Sequence, residues 1–104
     1  MKKLSVPRVL KCLIWEHYIG KHFEGNCFCC DKIIDVFNYH AGHVEPSSKG
    51  GSMSLENLRP VCSSCNLSMS DKNMVDFINQ YDMIGKKNFQ SKFIQIGNII
   101  YSVK

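Results

Sequence analysis

The chain has 104 residues, the length of one domain with a small hydrophobic core. Hydrophobic residues make up 44% and charged residues 21%, which indicates a folded globular protein and argues against disorder. No apolar run is long enough to span a bilayer, and the N-terminus lacks the apolar stretch of a signal peptide. We therefore expect a single domain over residues 1–104 that is intracellular, is not secreted and does not bind a membrane.

The formal net charge is +4, and the charge is unevenly distributed. Residues 1–21 carry five basic residues and one acid, and residues 83–104 carry four basic residues and no acid. Basic flanks are typical of proteins that bind a polyanion such as nucleic acid. Solubility alone explains the same lysines equally well.

The first predicted element is a helix with Ser5 as its cap, Pro7 in its first turn and Gly20 at its end. Its apolar residues recur at helical spacing and are Val6, Val9, Leu10, Leu13, Ile14 and Tyr18. We interpret this helix as a packing element, with Cys12 as a small core residue.

Two strands are predicted next, separated by a loop. Residues 33–39 are rich in β-branched and aromatic side chains, which favours a strand. Residues 45–52 contain the Pro, Ser and Gly of a loop, and a short second strand is expected at residues 58–61.

Two helices and a hairpin complete the chain. Ser63 or Ser64 is expected to cap a helix that runs to about Met69, and Asp71 to cap another that Gly85 ends. The buried face expected for the second of these helices comprises Met74, Val75, Phe77, Ile78 and Tyr81. Residues 92–96 and 99–103 are predicted to pair through a two-residue Gly-Asn turn.

The cysteine spacing predicts a structural zinc site. Cys27 and Cys30 form one C-x-x-C pair and Cys62 and Cys65 another, so that four thiolates can close tetrahedrally on Zn²⁺. The alternatives are two disulfides, which an intracellular compartment disfavours, or buried free thiols. Cys29 could replace either cysteine of the first pair, although a two-residue spacer fits a metal knuckle better.

Between and around the knuckles lies an ordered set of short motifs: Gly-His-Val at 42–44, Gly-Gly at 50–51, Asn-Leu-Arg-Pro at 57–60 and Cys-Ser-Ser-Cys-Asn at 62–66. This order resembles the HNH (ββα-metal) endonucleases. It is most similar to the subgroup with paired C-x-x-C knuckles, found in restriction-type enzymes, large DNA viruses and mobile elements. The resemblance covers about residues 25–74, a motif core between the basic flanks.

The resemblance implies an α+β fold of two strands and a helix around a catalytic cation, here zinc-stapled, with an N-terminal helix and a C-terminal helix plus hairpin. It implies that His43 activates water, that Asn57 braces the loop, and that Asn66 on the helix ligates Mg²⁺ or Mn²⁺. Histidine titrates near neutrality and suits a general base, whereas an amide oxygen suits a hard cation.

One position departs from the family pattern. Many members carry Asp or His directly before the base as a second metal ligand, and this chain has Gly42, which cannot ligate. Related nucleases with an Asp-Arg-Gly-His motif also place glycine there, and His40 occupies the Asp position of that motif. His40 is therefore a candidate auxiliary ligand or phosphate contact.

The sequence thus predicts a metal-dependent endonuclease that hydrolyses DNA, expected to be double-stranded and recognised with low sequence specificity. The alternative is an inactive HNH-like zinc module that binds DNA or a protein partner. The sequence leaves the oligomeric state and the cleavage specificity open.

Overall fold

A computed structural model of the chain describes residues 6–89 and the backbone of two strands in the C-terminal tail. In chain order the helices and strands are α1 (Arg8–Tyr18), β1 (Glu24–Asn26), β2 (Ile33–Asp35), β3 (His40–His43), β4 (Leu58–Val61), α2 (Ser63–Met69), α3 (Met74–Gln80), β5 (Phe93–Ile96) and β6 (Ile99–Ser102). Short 3₁₀ turns lie at Ser47–Lys49, Leu55–Asn57 and Ile84–Phe89. The predicted α+β class is confirmed.

Consecutive strands of the described residues pair into antiparallel hairpins, β1 with β2, β3 with β4 and β5 with β6. In the central pair His40 lies opposite Val61 and His43 opposite Leu58. Helix α2 packs against β3, and α1 packs against β4. The β3–β4–α2 unit therefore forms the centre of the molecule, and the strand predicted at residues 58–61 is confirmed as β4.

The strand predicted at residues 33–39 is wrong in its extent. β2 ends at Asp35, whose carboxylate accepts hydrogen bonds from the backbone N–H groups of Phe37 and Asn38, each at 3.0 Å. An aspartate that bonds the backbone two residues on stabilises a turn in place of a strand. The chain therefore turns at residues 36–38, and the next strand, β3, begins at His40.

The apolar stripe predicted for the first helix omits Trp15 but is confirmed for four of its members, which lie in or against the core: Val6, Leu10, Ile14 and Tyr18. Ile14 and Trp15 are buried, whereas Val9 is 72% and Leu13 50% exposed. The Trp15 indole donates to the carbonyl oxygen of His22 at 2.7 Å, and its ring lies 5.0 Å from that of Tyr39. Burial of the large indole decides the inward face.

Two further predictions concern single residues in or next to α1. Cys12 is exposed, so its expected core position is wrong: the residue lies on the outward face that burial of the indole defines. Pro7 is the N-cap residue, and the predicted cap Ser5 lies outside the described residues. None of the helices in the described residues is long and apolar enough to cross a membrane.

The caps of α2 and α3 differ from those predicted. Cys62, and neither Ser63 nor Ser64, is the N-cap of α2. Asn73 caps α3 in place of Asp71, and its side-chain oxygen accepts from the backbone N–H groups of Val75 at 2.9 Å and Asp76 at 3.2 Å. The cap of α2 therefore lies one residue before Ser63, and that of α3 two residues after Asp71.

The buried face predicted for α3 is confirmed for Met74, Val75, Phe77 and Ile78, whereas Tyr81 is 58% exposed. The helix ends at Gln80, before Gly85. Gly85 instead lies against the first cysteine knuckle and donates its N–H to the carbonyl oxygen of Cys29 at 2.8 Å. A Cβ atom there would lie 2.1 Å from the carbonyl oxygen of Phe28, so this close approach requires glycine.

The predicted C-terminal hairpin is confirmed in its strands. β5 and β6 pair antiparallel, with Ile96 opposite Ile99. The turn predicted at Gly97 and Asn98 lies outside the described residues.

Candidate metal centre and active site

Four cysteines from distant parts of the chain meet at one point. The Sγ atoms of Cys27, Cys30, Cys62 and Cys65 all lie within 4.8 Å of one another, and those of Cys30 and Cys62 are 3.7 Å apart. A tetrahedral zinc site with Zn–S bonds of about 2.3 Å separates its sulfur atoms by about 3.8 Å. All six cysteines of the chain are described and none is in a disulfide. The donor set fits a zinc-type structural site.

Hydrogen bonds around the first sulfur favour its thiolate form. The Cys29 thiol and the backbone N–H groups of Cys30, Cys62 and Cys29 lower the pKa of Cys27, against the opposing effect of burial. The N–H of Cys62 lies 3.2 Å from this sulfur and that of Cys29 3.4 Å. Burial raises the pKa of both Cys30 and Cys65. Only a bound cation would keep all four sulfurs deprotonated at such close range.

The cysteine cluster also sets the start of α2. The Cys62 sulfur accepts a hydrogen bond from the backbone N–H of Cys65 at 3.4 Å and so caps the helix. Phe28, inside the first knuckle, donates its N–H to the carbonyl oxygen of Pro60 at 3.0 Å. The knuckles therefore join β1–β2 to β4 and α2. Asn66 directly follows Cys65, one of the four cysteines of the cluster.

Two of the predicted site residues are in contact across β3 and α2. The side-chain Nδ2 of Asn66 lies 3.0 Å from the Nδ1 atom of His40, and both residues are half-buried. His43 ends the same strand, three residues further on. The packing of α2 on β3 thus brings Asn66 to the strand that carries both histidines.

Asn57 clamps the segment that follows His43. It is fully buried, and its Oδ1 accepts from the backbone N–H of Glu45 at 2.8 Å. Its Nδ2 donates to the carbonyl oxygens of Glu45 at 3.0 Å and Ser52 at 2.7 Å. Its own carbonyl oxygen accepts from the N–H of Val44 at 2.8 Å. Because both ends of the amide are occupied by backbone, these contacts favour a bracing role over substrate contact.

The Gly-Gly motif makes this clamp geometrically feasible. Gly50 has a φ of 89°, in the left-handed region, and ends the Ser47–Lys49 turn. A Cβ atom on Gly51 would lie 1.7 Å from the carbonyl oxygen of Glu45. The loop can approach the clamped segment this closely only with glycine at position 51.

We expect Asn57→Ala to destabilise the protein strongly. The substitution removes the three hydrogen bonds that the amide makes to the backbone of the part-buried clamp, and losing one partner of a buried hydrogen bond costs about 1–3 kcal/mol. We therefore expect a loss of roughly 3 kcal/mol or more in the free energy of unfolding, measured by urea denaturation of the zinc-loaded protein. The matched control is Asn38→Ala, because Asn38 is an exposed turn residue. Equal free energies of unfolding for the two variants would contradict the bracing role of Asn57.

Gly42 is closely packed against core side chains. A Cβ atom at this position would lie 2.9 Å from Val61 Cγ2 and 3.3 Å from the Cε atoms of Met69 and Met74. A side chain able to ligate a metal would therefore have to displace core atoms. The absence of the common second ligand at this position is thus built into the packing of β3.

Arg59 belongs to the Asn-Leu-Arg-Pro motif at 57–60, but the sequence alone indicates no role for it. It is 8% exposed, and its guanidinium lies 4.3 Å from the centre of the Tyr18 ring. One guanidinium nitrogen donates to the carbonyl oxygens of Glu56 at 2.7 Å and Leu58 at 3.1 Å. Burial lowers its pKa, and Tyr18 opposes that effect. Arg59 thus joins α1 to β4. The one signal of its burial in the sequence is its position in a predicted strand, between Leu58 and Pro60.

The fold and the four-cysteine cluster define a small ββα module with a zinc-type site. A family model described as HNH endonuclease matches residues 27–82, which include both knuckles and all the predicted site residues. The chain therefore belongs to the HNH endonuclease family. Neither the comparison with curated proteins nor that with solved structures gives a match.

Proposed function

We propose that the chain is a metal-dependent endonuclease that hydrolyses DNA phosphodiester bonds inside the cell. The family match over residues 27–82 carries the proposal, since family membership implies a nucleic-acid substrate. The packing of β3 against α2 supports it, because His43 and Asn66 lie on these two elements.

In the proposed mechanism His43 is the general base. Its imidazole removes a proton from a water molecule, the water oxygen forms a bond to phosphorus, and the bond from phosphorus to the leaving sugar oxygen breaks. The leaving oxygen takes up a proton from solvent and the His43 imidazolium returns its proton to solvent, so that the products are one phosphate end and one hydroxyl end. The side-chain oxygen of Asn66 would hold Mg²⁺ or Mn²⁺, which supplies stabilisation of the charge that develops on the phosphate.

The backbone contacts around the site suit this division of roles. His43 lies in β3 opposite Leu58, and the next residue, Val44, is bonded both to Asn57 and to the N–H of Met74, the latter at 2.9 Å. A base must be held in place to contribute to catalysis, and paired strands hold it better than a free loop does. The Asn57 clamp provides this support without entering the reaction.

The second candidate function is an inactive HNH-like zinc module that binds DNA or a protein partner. The observation that favours it is Gly42, which supplies no ligand at the position where many family members have one. This candidate keeps the fold and the four-cysteine site but predicts no cleavage.

A nicking assay on supercoiled plasmid separates the two candidates. With zinc-loaded protein and Mg²⁺ or Mn²⁺ we expect conversion to open-circular or linear DNA, and no conversion in EDTA. Binding of DNA without cleavage in either metal would favour the inactive module. The absence of both binding and cleavage would favour a protein partner.

DNA binding is expected to tolerate changes of sequence and to weaken steeply with salt. Each phosphate that the protein neutralises contributes about 0.9 to the slope of log K against log salt for duplex DNA. In the described part of the C-terminal flank, Lys86 pairs with Asp82 at 2.6 Å and Lys87 with Asp31 at 3.0 Å. Because these exposed pairs are weak, phosphate can replace the carboxylates.

We therefore expect the Lys86→Gln/Lys87→Gln double variant to flatten the salt slope by about 1 to 2. Fluorescence anisotropy of a labelled duplex at several salt concentrations measures it. Lys32→Gln, which removes one exposed charge outside the basic flanks, is the control. A slope shared by all three proteins would show that this flank does not contact DNA.

A further inference from the structure

We propose that His40 is a positioning residue that selects which end of the Asn66 amide faces the catalytic cation. The proposal rests on the proposed function, because it concerns the same cation. It differs from the role of auxiliary ligand that the sequence suggested for His40. The observation that carries it is the contact of 3.0 Å between His40 Nδ1 and Asn66 Nδ2.

The chemistry of the two atoms fixes the direction of this hydrogen bond. The Nδ2 group of an asparagine only donates, so the Nδ1 atom of His40 accepts, and the neutral ring then carries its proton on Nε2. The Oδ1 atom of Asn66 is the other end of the same planar amide and is turned away from the histidine. That oxygen is the atom that could ligate a cation.

The orientation matters because the two ends of an amide are chemically different. An amide oxygen binds Mg²⁺ or Mn²⁺, whereas an amide nitrogen does not. A half-turn of the Asn66 side chain would therefore exchange a ligand for a non-ligand. At position 42, where many family members provide a second ligand, the glycine provides none, so the cation depends more heavily on Asn66.

Both partners of the hydrogen bond are held by backbone contacts. His40 lies opposite Val61 in the β3–β4 pair and follows Tyr39, which is buried and whose carbonyl oxygen accepts from the Lys11 ammonium at 2.9 Å. The backbone N–H of Asn66 donates to the carbonyl oxygen of Cys62 at 3.0 Å, next to the zinc-type site. A hydrogen bond between two fixed residues can select a rotamer, as the proposal requires.

The test measures Mn²⁺ binding to zinc-loaded protein by titration calorimetry, with no DNA present. His40→Leu removes the acceptor, and we expect Mn²⁺ affinity to fall roughly 3- to 10-fold, the value of one neutral hydrogen bond. His40→Asn places an amide oxygen where Nδ1 was, and we expect it to restore affinity to within about twofold of wild type. His22→Asn, at an exposed histidine outside the site, is the control and should bind as wild type does.

A second arm replaces Asn66 by aspartate. A carboxylate presents an oxygen at both ends, so it needs no selection of rotamer. We expect His40→Leu to weaken Mn²⁺ binding in the Asn66 protein and to change it less than about twofold in the Asn66→Asp protein. Equal losses in both backgrounds would mean that His40 acts through the fold or as a ligand, and would overturn the proposal.

Pulsed electron paramagnetic resonance of bound Mn²⁺ tests the remaining explanation, which is that His40 is itself a ligand of the cation. A directly coordinated imidazole nitrogen gives a strong ¹⁴N coupling. We expect any such coupling in the wild type to remain in His40→Asn, whereas loss of the coupling in that variant would identify His40 as its source. A coupling from His40 would make it a ligand and overturn its positioning role alone. If the wild type binds Mn²⁺ and cuts DNA while His40→Leu does both equally well, this inference is wrong and the proposed function stands. If the wild type does neither, both fail.

Discussion

Replacing Cys62 by serine is expected to abolish zinc binding and to unfold the central unit of the protein. Cys62 contributes one of the four sulfurs, caps α2 through that sulfur, and donates its N–H to the Cys27 sulfur. Structural zinc contributes about 10–16 kcal/mol in small zinc domains, which matches or exceeds the stability of roughly 5–15 kcal/mol of a typical domain. Loss of zinc binding would therefore remove a free energy comparable to the whole stability of a domain of this size.

Metal analysis and thermal unfolding check this prediction together. We expect one zinc per chain in the wild type, and in Cys62→Ser a large loss of zinc and of the cooperative transition. Cys12→Ser is the matched control, since Cys12 is exposed and outside the cluster. Cys29→Ser should also keep its zinc, because Cys29 is buried beside the cluster without belonging to it. A full zinc content in Cys62→Ser would show that the four-cysteine assignment is wrong.

Features encoded over a few residues could be predicted from the sequence. The two C-x-x-C spacings predicted the cluster, because a tight turn between two cysteines points both sulfurs the same way. The short strand predicted at residues 58–61 is β4. The order of the motifs predicted the family, since each short piece by itself is unspecific.

Features that depend on packing between distant segments could not be predicted. Asp71 and Asn73 are equally good caps, and the choice is made by the backbone bond from Met74 to Val44 across the fold. Gly42 was interpreted as a missing ligand because the sequence does not show that its Cβ position is filled by Val61.

The candidate site likewise has features that the sequence predicts and features that it does not. The sequence named His43, Asn57 and Asn66, but not the contact between Asn66 and His40, which exists only because α2 packs on β3. The burial of Arg59 depends likewise on α1 packing against β4. Long-range packing therefore turned a set of candidate residues into specific contacts that variants can test.

His43→Ala is expected to reduce DNA cleavage about 10²–10⁴-fold while leaving zinc content and stability close to wild type. The size of this reduction is that of removing a general base, because water must then attack without a proton acceptor. Stability should hold, since the backbone of residue 43 stays paired with Leu58 and the following segment stays clamped by Asn57. Single-turnover rates on supercoiled plasmid, at saturating Mn²⁺, measure the effect.

Asn66→Ala provides the comparison that gives the two residues separate roles. Without its side-chain oxygen the cation binds weakly, so we expect cleavage to fall at low Mn²⁺ and to recover partly as Mn²⁺ is raised. His43→Ala should show no such recovery, because added metal does not replace a proton acceptor. Asn66 follows Cys65 but lies outside the four-sulfur set, so both variants should keep one zinc per chain. Recovery of His43→Ala with metal, or wild-type rates in either variant, would contradict this assignment of base and ligand.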